Sequence, residues 1–460
     1  MLALDYMRRS RTGTPETEMK AVQFINLGYQ RLLNFEVAGG GFDWYGKAPA
    51  NLVLSAYGLV QFSDMAKVYE IDPRIITRTQ KYLLGKQAKD GSWSPEGRMP
   101  YSWKGLAGKY IITSYIAWSM AESGYPGKEL TLALDWMKDN LDEAPSAYAR
   151  ALAANALLEV NKKDREGLAI LKSLAAEMKD GGVENEDQTL YFAKGNAAAI
   201  ETTALVALAM MKTPDYPTKV NKALSYLIKR KDARGTWGST SATILALKAL
   251  IGGMSGIEQK GDVTLTISVN GEERKLTITP DQADVMQILD FAGATKKGTN
   301  TVTIDVEGES NMMYQIFARH FIPWGEVQEE DQPLSIDVSY DKTKLSTDDV
   351  LTANVKMKYS GSQETFMVIM DLGIPPGFIL DTTKFEEMVE AGTIDKFSTT
   401  GRQITLYLGK IKPGQEVNFS YELYPKYPIK VKTPKSEVYE YYTPERRAES
   451  QPVEVEVEKE

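Results

Sequence analysis

The chain contains no cysteine and only one histidine, His320, among its 460 residues. The absence of thiols excludes disulfides, thiolate metal sites and cysteine nucleophiles. One imidazole without thiolates does not suffice for the ligand set of a zinc site. No acidic loop with the spacing of a helix–loop–helix calcium site occurs either. We therefore expect no metal and no other cofactor, and we assign no catalytic residue.

Long hydrophobic runs and an excess of basic residues are also missing. The sequence has 54 Lys and Arg against 62 Asp and Glu, which gives a net charge of −8. An acidic chain without a basic stripe lacks the electrostatic footprint of a nucleic-acid-binding protein. No stretch approaches the roughly 18 apolar residues that would span a membrane. Residues 1–6 lack the segments of a signal peptide and read as the interior of a helix, so we expect a piece of a longer protein.

One helical pattern repeats through the first half of the chain. Three helices end in a glycine-containing turn with an aromatic residue, at residues 39–44, 90–93 and 234–238. An alanine-rich apolar helix follows each turn, at residues 52–62, 111–121 and 240–250. Two weaker copies lead into residues 148–158 and 197–211. The repeat unit is therefore a helical hairpin of roughly 40–60 residues.

These hairpins predict a closed helical domain over residues 1–256. A single hairpin cannot bury its apolar face, so the copies must stack on one another. Helices that are apolar on all sides belong inside a ring of amphipathic helices. The pattern thus predicts an α/α toroid with an apolar inner ring and a charged outer ring. We expect about eleven helices, one fewer than six complete hairpins contain.

The hydrophobic period changes to that of strands after Gly253. Residues 263–269 and 275–278 alternate, and Asn270-Gly271 between them is a strong hairpin signal. Further strands are predicted at residues 301–307 and 314–318. We therefore expect a small β-unit over residues 257–325.

A second β-domain is predicted over residues 326–460, after an acidic linker. Its antiparallel strands are joined by closely spaced turns, which favours a β-sandwich. The predicted strands cover residues 334–340, 350–359, 365–372, 403–408, 416–424 and 438–442. A helix interrupts them at residues 382–390, and the alternating tail from residue 452 is either an edge strand or disordered.

Four segments carry a resemblance to the alpha-2-macroglobulin family. Ile374-Pro375-Pro376-Gly377-Phe378 and Val438-Tyr439-Glu440-Tyr441-Tyr442-Thr443-Pro444-Glu445 resemble two segments of the family's receptor-binding domain, in the same order. Residues 26–35 and the Glu201-Thr202-Thr203 helix are similar to two stretches of its thioester domain, which is a helical toroid. The resemblance implies that the small β-unit is half of a CUB-like domain and that the last domain is a macroglobulin-type sandwich.

The resemblance implies a protein that binds or traps proteases rather than an enzyme, in an extracellular or periplasmic location of bacterial type. The family's reactive element is an internal thioester between Cys and Gln side chains. This sequence has no cysteine, and it begins just past the position of that motif. These residues are therefore expected to form no thioester. The loop at residues 98–103, which matches the family's histidine-bearing loop, also has no histidine.

Few side chains qualify as site residues. We predict that Tyr101, Trp103, Glu201 and Thr202 lie at the toroid surface or line a pocket, with Glu201 in a structural role. Lys384 resembles a lysine that family members present to a receptor. Its helix also carries Glu386, Glu387 and Glu390, and Leu380 occupies the place of the second lysine, so Lys384 is only a possible partner contact. His320 is predicted to end a strand and to pack partly on aromatic residues.

Two alternatives to a binding protein stay open at this stage. The turns with Gly and Trp are also found in toroidal enzymes of the terpene-cyclase and glycosidase types, which act through carboxylates. Asp43, Asp90 and Glu201 are the candidate carboxylates, although no aspartate-rich acid motif is present. The third possibility is an inert remnant of a longer protein.

Overall fold

The computed structural model describes residues 1–10, 14–96, 105–232, 235–254, 261–282, 287–308, 314–320, 332–441 and 443–459. The chain divides into two compact units. The first comprises Met1–Glu184, Thr202–Lys229 and Ile244–Phe317, and the second comprises Asn185–Glu201, Arg230–Thr243 and Ala318–Glu460.

Eleven α-helices occupy the described residues up to Met254, as the repeat predicted. They are α1 (Leu2–Ser10), α2 (Pro15–Leu33), α3 (Leu52–Ala66), α4 (Pro73–Gly85), α5 (Gly105–Glu122), α6 (Lys128–Asp139), α7 (Ala147–Val160), α8 (Arg165–Glu177), α9 (Gly195–Met211), α10 (Pro217–Lys229) and α11 (Thr240–Met254). A short hairpin of β1 (Glu36–Val37) and β2 (Gly41–Phe42) lies between α2 and α3.

The helices alternate between buried and amphipathic, which is the pattern of an α/α toroid. In α7, nearly every side chain from Ala147 to Leu158 is buried, whereas α4 buries only Ile75, Thr79 and Leu83. Within the first unit, α3 packs on α4 and α5, α5 packs on α6 and α7, and α7 packs on α8. The prediction of buried helices enclosed by amphipathic ones is therefore confirmed.

Side-chain caps fix where several helices begin. Asn51 accepts the backbone N–H of Leu54, Ser146 accepts that of Ala149, and Asp164 accepts that of Gly167. Pro73 follows the capping residue Asp72 at the start of α4. Caps satisfy amide groups that have no partner inside the helix, and proline at the first position presets the helical φ angle.

One hydrogen bond recurs at four of the interhelical turns. In each, the residue that enters the core donates its backbone N–H to a hydroxyl on a buried helix. The pairs are Phe42 with Ser55 (2.9 Å), Trp93 with Thr113 (3.0 Å), Val183 with Thr203 (2.9 Å) and Trp237 with Thr243 (3.1 Å). The repeated turn of Gly and an aromatic residue is therefore held to a buried helix by this hydrogen bond. In one of the four turns, Val183 takes the place of the aromatic residue.

Replacing Thr113 by valine is expected to lower the free energy of unfolding by about 1–3 kcal/mol, because it leaves buried backbone groups of Trp93 without a partner. The Thr113 hydroxyl accepts the Trp93 N–H and donates to the Trp93 carbonyl at 3.3 Å. Urea unfolding measures the effect. Thr113→Ser is the matched control, because it keeps the hydroxyl. If the serine variant is as unstable as the valine variant, the hydrogen bond is not the cause.

Five charged side chains form a network within the first unit, called here the lysine–carboxylate network, in which Asp64 is buried and Glu159 is the most exposed. They are Asp64, Glu122, Glu159, Lys212 and Lys248. Lys248 Nζ lies 2.9 Å from Asp64 Oδ2 and 3.3 Å from Glu122 Oε2. Lys212 lies 3.8 Å from Glu122 and also pairs with Glu159. The network joins charges from the C-terminal halves of α3, α5, α7 and α11 and from the residue that follows α9.

A three-stranded antiparallel sheet in the first unit follows α11, with the order β4-β3-β5. Its strands are β3 (Val263–Val269), β4 (Glu272–Ile278) and β5 (Val302–Glu307). The hairpin turn is the predicted one, with Asn270 at φ 51° and Gly271 at φ 94°. Positive φ at both positions is what a tight two-residue hairpin requires.

The second unit contains a sandwich of two antiparallel sheets. One has the order β10-β13-β8-β6 and the other β11-β12-β9-β15-β16, while a smaller sheet has the order β14-β17-β7. The strands are β6 (Leu334–Tyr340), β7 (Lys344–Ser346), β8 (Leu351–Tyr359), β9 (Thr365–Gly373), β10 (Phe378–Leu380), β11 (Lys396–Thr399), β12 (Gln403–Ile411), β13 (Glu416–Pro425), β14 (Ile429–Lys432), β15 (Ser436–Glu440), β16 (Thr443–Ser450) and β17 (Glu454–Glu458). Helix α12 (Thr383–Glu390) lies between β10 and β11.

The sandwich core follows from the alternation of side chains along its strands. Val355 and Tyr421 from one sheet share a buried cluster with Val368 and Leu406 from the other. Phe385 joins α12 to this cluster, and its ring lies 5.3 Å from that of Tyr421. Alternating apolar residues place one face of each sheet in the core and leave the other in solvent.

Three expectations from the sequence were wrong. Residues 314–318 form no strand, and Tyr314, Ile316 and Phe317 are exposed. Among the described residues no strand pairs with them, and β-propensity without a partner strand does not make a strand. His320 likewise neither ends a strand nor packs into a core, because it is exposed. The tail, predicted to be either an edge strand or disordered, is neither, because β17 is the central strand of its sheet and pairs with β14 on one side and β7 on the other.

Candidate functional site

Glu201 is an acidic residue in the interior of the second unit. It lies on α9, and its side chain is fully buried. The Ser241 hydroxyl donates a hydrogen bond to Glu201 Oε1, and the Ser239 hydroxyl lies 3.5 Å from the same oxygen. Oε2 forms no hydrogen bond with a described residue, and neither does the buried Thr189 hydroxyl.

Burial controls the charge of this carboxyl group. Removal from water raises the pKa of Glu201 to about 7, and it outweighs the hydroxyls of Ser241, Thr189 and Ser239, which act in the opposite direction. Hydroxyl groups can stabilise a carboxylate, but without a nearby cation they do not replace its hydration. Glu201 is therefore close to half neutral near pH 7.

The serines beside Glu201 belong to the start of α11. Ser239 accepts the backbone N–H of Ala242 at 3.1 Å, and its hydroxyl lies 3.1 Å from that of Ser241. Thr202, next to Glu201, is fully buried as well. Neither Glu201 nor Thr202 is therefore accessible to a partner in this conformation, and a pocket-lining role for them stays a prediction. Tyr101 and Trp103 lie outside the described residues.

The segments around Glu201 contact the β-sandwich within the second unit. The ring of Phe192 stacks on that of Phe366 at 5.1 Å with an interplanar angle of 25°. Thr240 and Tyr441 share a hydrogen bond of 3.1 Å between their hydroxyls. These four residues are called here the docking contact. A Cβ added at Gly238 would lie 3.7 Å from Pro444, so the backbone also comes close there.

Backbone strain accompanies the docking contact on both sides. Phe192 has φ 62° and Met367, next to Phe366, has φ 55°. Bulky residues rarely adopt this left-handed conformation, and it persists only where the surroundings hold it. The Met367 carbonyl accepts the backbone N–H of Tyr441 at 2.9 Å, which ties the strained strand to the β15–β16 turn.

A charged group lies beside the docking contact. Glu440 is buried, and Arg446 lies 3.6 Å from it. Burial lowers the pKa of Lys194, against the attraction of Glu440 and together with the repulsion of Arg446. Lys194, Glu440 and Arg446 therefore interact electrostatically, with one negative and two positive charges.

The acidic residues considered for catalysis have structural partners. Asp43 accepts the backbone N–H groups of Tyr45 and Lys47. Hydrogen bonds from Ser92 and Lys109 lower the pKa of Asp90 to about 2. Both carboxylates therefore organise turns. A surface groove of about 850 Å³ beside the β1–β2 hairpin is lined by Arg78, Lys81 and Tyr82 among others, and Asp43, Asp90 and Glu201 do not line it.

Lys384 lies on the exposed side of α12. Its ammonium group is 3.0 Å from the carboxylate of Glu387, and its side chain is 44% exposed. Glu386 and Glu390 are exposed on the same short helix. The structure therefore places Lys384 among carboxylates on an accessible surface, and its role as a partner contact stays a prediction.

The docking contact was missed in the sequence. Tyr441 was part of a recognised segment, but nothing in the sequence pairs it with Thr240 or pairs Phe192 with Phe366. The hydroxyls around Glu201 were missed too, although Ser239 and Ser241 stand where a helix cap is expected.

No group of His, Asp and Glu within the described ranges is arranged to hold a metal ion. No described helix is long and apolar enough to cross a membrane.

Family models match most of the chain. The A-macroglobulin TED domain matches residues 1–252, and the A-macroglobulin receptor binding domain matches residues 363–452. Complement C3 of Oncorhynchus mykiss is 24% identical over 93% of this chain and 27% of its own length. Ovostatin of Gallus gallus is 22% identical over 97% of this chain and 31% of its own length. The chain thus spans about a third or less of these relatives.

Solved structures share the fold. Salmonella alpha-2-macroglobulin reacted with methylamine superposes with a TM-score of 0.67 at 15% identity, over 97% of this chain and 28% of that one. Escherichia coli alpha-2-macroglobulin from domain MG7 to the C-terminus gives 0.67 at 14% identity, over 96% of this chain and 69% of that one. The prediction of a helical toroid followed by β-domains is confirmed.

Proposed function

The chain belongs to the alpha-macroglobulin family, and from this membership we propose that it is the C-terminal, partner-binding part of a protein that traps proteases. The observation that carries the proposal is the order of the two family matches, with the thioester-type domain over residues 1–252 and the receptor-binding domain over residues 363–452. We keep residues 1–256, 257–325 and 326–460 as the proposed domain boundaries.

Binding without a covalent bond is the mode of action we propose for these residues. An internal thioester needs a cysteine, and the chain has none. Partner recognition then rests on shape, apolar contact and charge at the surface. Lys384 and its neighbours on α12 are one accessible candidate surface. The corresponding location would be extracellular or periplasmic, where target proteases of such a protein act.

Direct binding to proteases tests the proposal. The purified chain is titrated with one protease of each major catalytic class, and we expect at least one complex with a dissociation constant near the micromolar range, about −8 kcal/mol. Binding should persist when the protease is blocked at its active site, because no segment that requires cleavage is identified in this chain. An unrelated protein of similar net charge is the control. Absence of binding to every protease would contradict the proposal.

The enzymatic alternative has its own test. Asp43 and Asp90 are engaged in turns, and Glu201 is closed off from solvent, so we expect no product from polyprenyl or oligosaccharide substrates. Product formation that is lost in both Glu201→Ala and Asp90→Ala would instead favour a toroidal enzyme.

A further inference from the structure

We propose that Glu201 is a proton-controlled latch, which holds the docking contact closed while it is neutral and releases it when it ionises. The inference concerns regulation within the second unit and does not depend on protease binding. It rests on three features of the described residues: the closed surroundings of the carboxyl group, its short connections to the docking contact, and the strain in that contact.

The surroundings of Glu201 suit a neutral carboxyl group. Its described hydrogen-bonding neighbours are the uncharged hydroxyls of Ser239 and Ser241, and Oε2 forms no hydrogen bond of regular geometry with a described residue. Thr189 also lies close enough to influence its charge. An ionised carboxylate in such a site needs either a cation or water. Water can reach it only if the segments that enclose it move apart.

Among the described residues, no charged group appears as a cause of the pKa shift of Glu201. Several charged residues lie on the segments that supply the neighbours of Glu201 or on the strands these segments contact. They are Glu186, Asp187, Lys194, Arg230, Lys231, Asp232, Glu440 and Arg446. None of them contributes to the pKa shift of Glu201, whose causes are burial and hydroxyl groups alone. A charge on Glu201 is therefore not offset by any of these eight residues.

The enclosing residues are also those next to the docking contact. Ser239 and Ser241 flank Thr240, whose hydroxyl bonds to Tyr441. Thr189 closes a tight loop with Phe192, because the Thr189 carbonyl accepts the Phe192 N–H at 3.0 Å. A movement that admits water to Glu201 must therefore displace Thr240 or Phe192 from their partners.

Strain at the docking contact favours release once the latch opens. Phe192 and Met367 both hold positive φ angles of 62° and 55°. An unfavourable backbone conformation is kept only while the surrounding contacts persist. Loss of the Phe192–Phe366 stacking would allow both residues to relax to ordinary φ values.

Hydrogen exchange followed by mass spectrometry tests the latch on the full chain. Exchange is compared at about pH 5.5 and about pH 8.5 after correction for the intrinsic base catalysis of exchange. In peptides that contain Phe192, Thr240, Phe366 and Tyr441, we expect the corrected exchange rate to be about tenfold or more higher at the higher pH. This rise beyond the intrinsic base catalysis is called here the additional increase. Peptides from α7, which is remote in sequence and lies in the first unit, should show no such increase.

Three variants test whether the carboxyl group of Glu201 is the source of the pH dependence. Glu201→Gln, which stays neutral, should abolish the additional increase. Ser241→Ala removes a hydroxyl that favours the charged form, so it should move the midpoint to higher pH. His320→Gln removes the single histidine, and it should behave as the wild type. The proposal is overturned if the wild type shows no additional exchange, if Glu201→Gln retains it, or if His320→Gln abolishes it. Should Glu201→Gln fail to fold, an unchanged midpoint in Ser241→Ala would equally overturn it.

Discussion

Lys248→Met is expected to lower the free energy of unfolding of the first unit by about 3–5 kcal/mol, the largest effect of any single substitution we propose. Lys248 is the cation shared by two buried carboxylates of the lysine–carboxylate network, Asp64 and Glu122. Removing one partner of a buried ion pair leaves an uncompensated charge, which costs more than the pair itself contributes.

The pKa shifts of the network have a consistent direction. Burial is the largest single influence and would raise the pKa of Asp64 and of Glu122, but the lysines together outweigh it and lower both, Lys248 with Lys67 for Asp64 and Lys248 with Lys212 for Glu122. For Lys248, burial lowers the pKa, and its two carboxylates more than reverse this. All three groups are therefore charged in the folded protein at neutral pH.

Thermal and urea unfolding measure the effect, and the expected fall in Tm is about 10 °C for a unit of this size. Lys67→Met is the matched control, because Lys67 also pairs with Asp64, at 2.8 Å, but its side chain is 53% exposed. Loss of an exposed pair should cost less than about 1 kcal/mol. Acidification should restore part of the stability of Lys248→Met, since the carboxylates can then take up protons. Equal losses in the two lysine variants would contradict the role assigned to Lys248.

Stability is also expected to fall as the pH rises from about 4.5 to about 7, by up to roughly 3 kcal/mol, because of Glu201. The folded-state pKa of Glu201 is raised to about 7 from 4.5 by burial. Between these values the folded chain keeps a proton that the unfolded chain has released. The stabilising contribution of Glu201 is therefore complete below the unfolded pKa and is lost as the pH passes through the folded pKa.

Glu201→Gln should abolish this dependence, and its advantage over the wild type should grow from about pH 4.5 upward and level off above about pH 7. Urea unfolding at several pH values measures both variants. Glu122→Gln is the matched comparison with the opposite sign, because the pKa of Glu122 is lowered by Lys248 and Lys212. It should be less stable than the wild type at pH 8 and approach it in acid. The raised pKa of Glu201 would be refuted if the stability of the wild type rose between about pH 5 and about pH 7 and this rise were absent in Glu201→Gln.

Much of the fold was accessible from the sequence, because repeats and strand periodicity reflect burial directly. The five alanine-rich helices were predicted near their observed positions, and α7 and α9 differ from prediction only at their ends. The short strands β7, β10, β11 and β14 were missed. Strands of three or four residues carry too few alternating positions to show a period.

The candidate site was less accessible. Glu201 attracted attention as a carboxylate on an apolar helix, but its partners Ser239 and Ser241 come from another helix about 40 residues later in the chain, a separation that no local rule predicts. Residues 314–318 show the opposite error, since their apolar pattern suggested a strand and they are exposed. The apolar pattern of a sequence shows which residues can be buried. Whether they are buried depends on another segment of the chain packing against them.

The sequence by itself determined the helical repeat, the β-sandwich and the absence of any thiol chemistry, because periodicity and composition act through local geometry and residue type. Only the tertiary structure decided the charge states of the carboxyl groups of Glu201 and Glu122. Glu201 and Glu122 are the same residue type, each on a largely apolar helix. Burial among hydroxyls raises the pKa of Glu201, whereas Lys248 and Lys212, both distant in the sequence, lower that of Glu122. Electrostatic energy depends on distance in space, and the fold alone sets those distances.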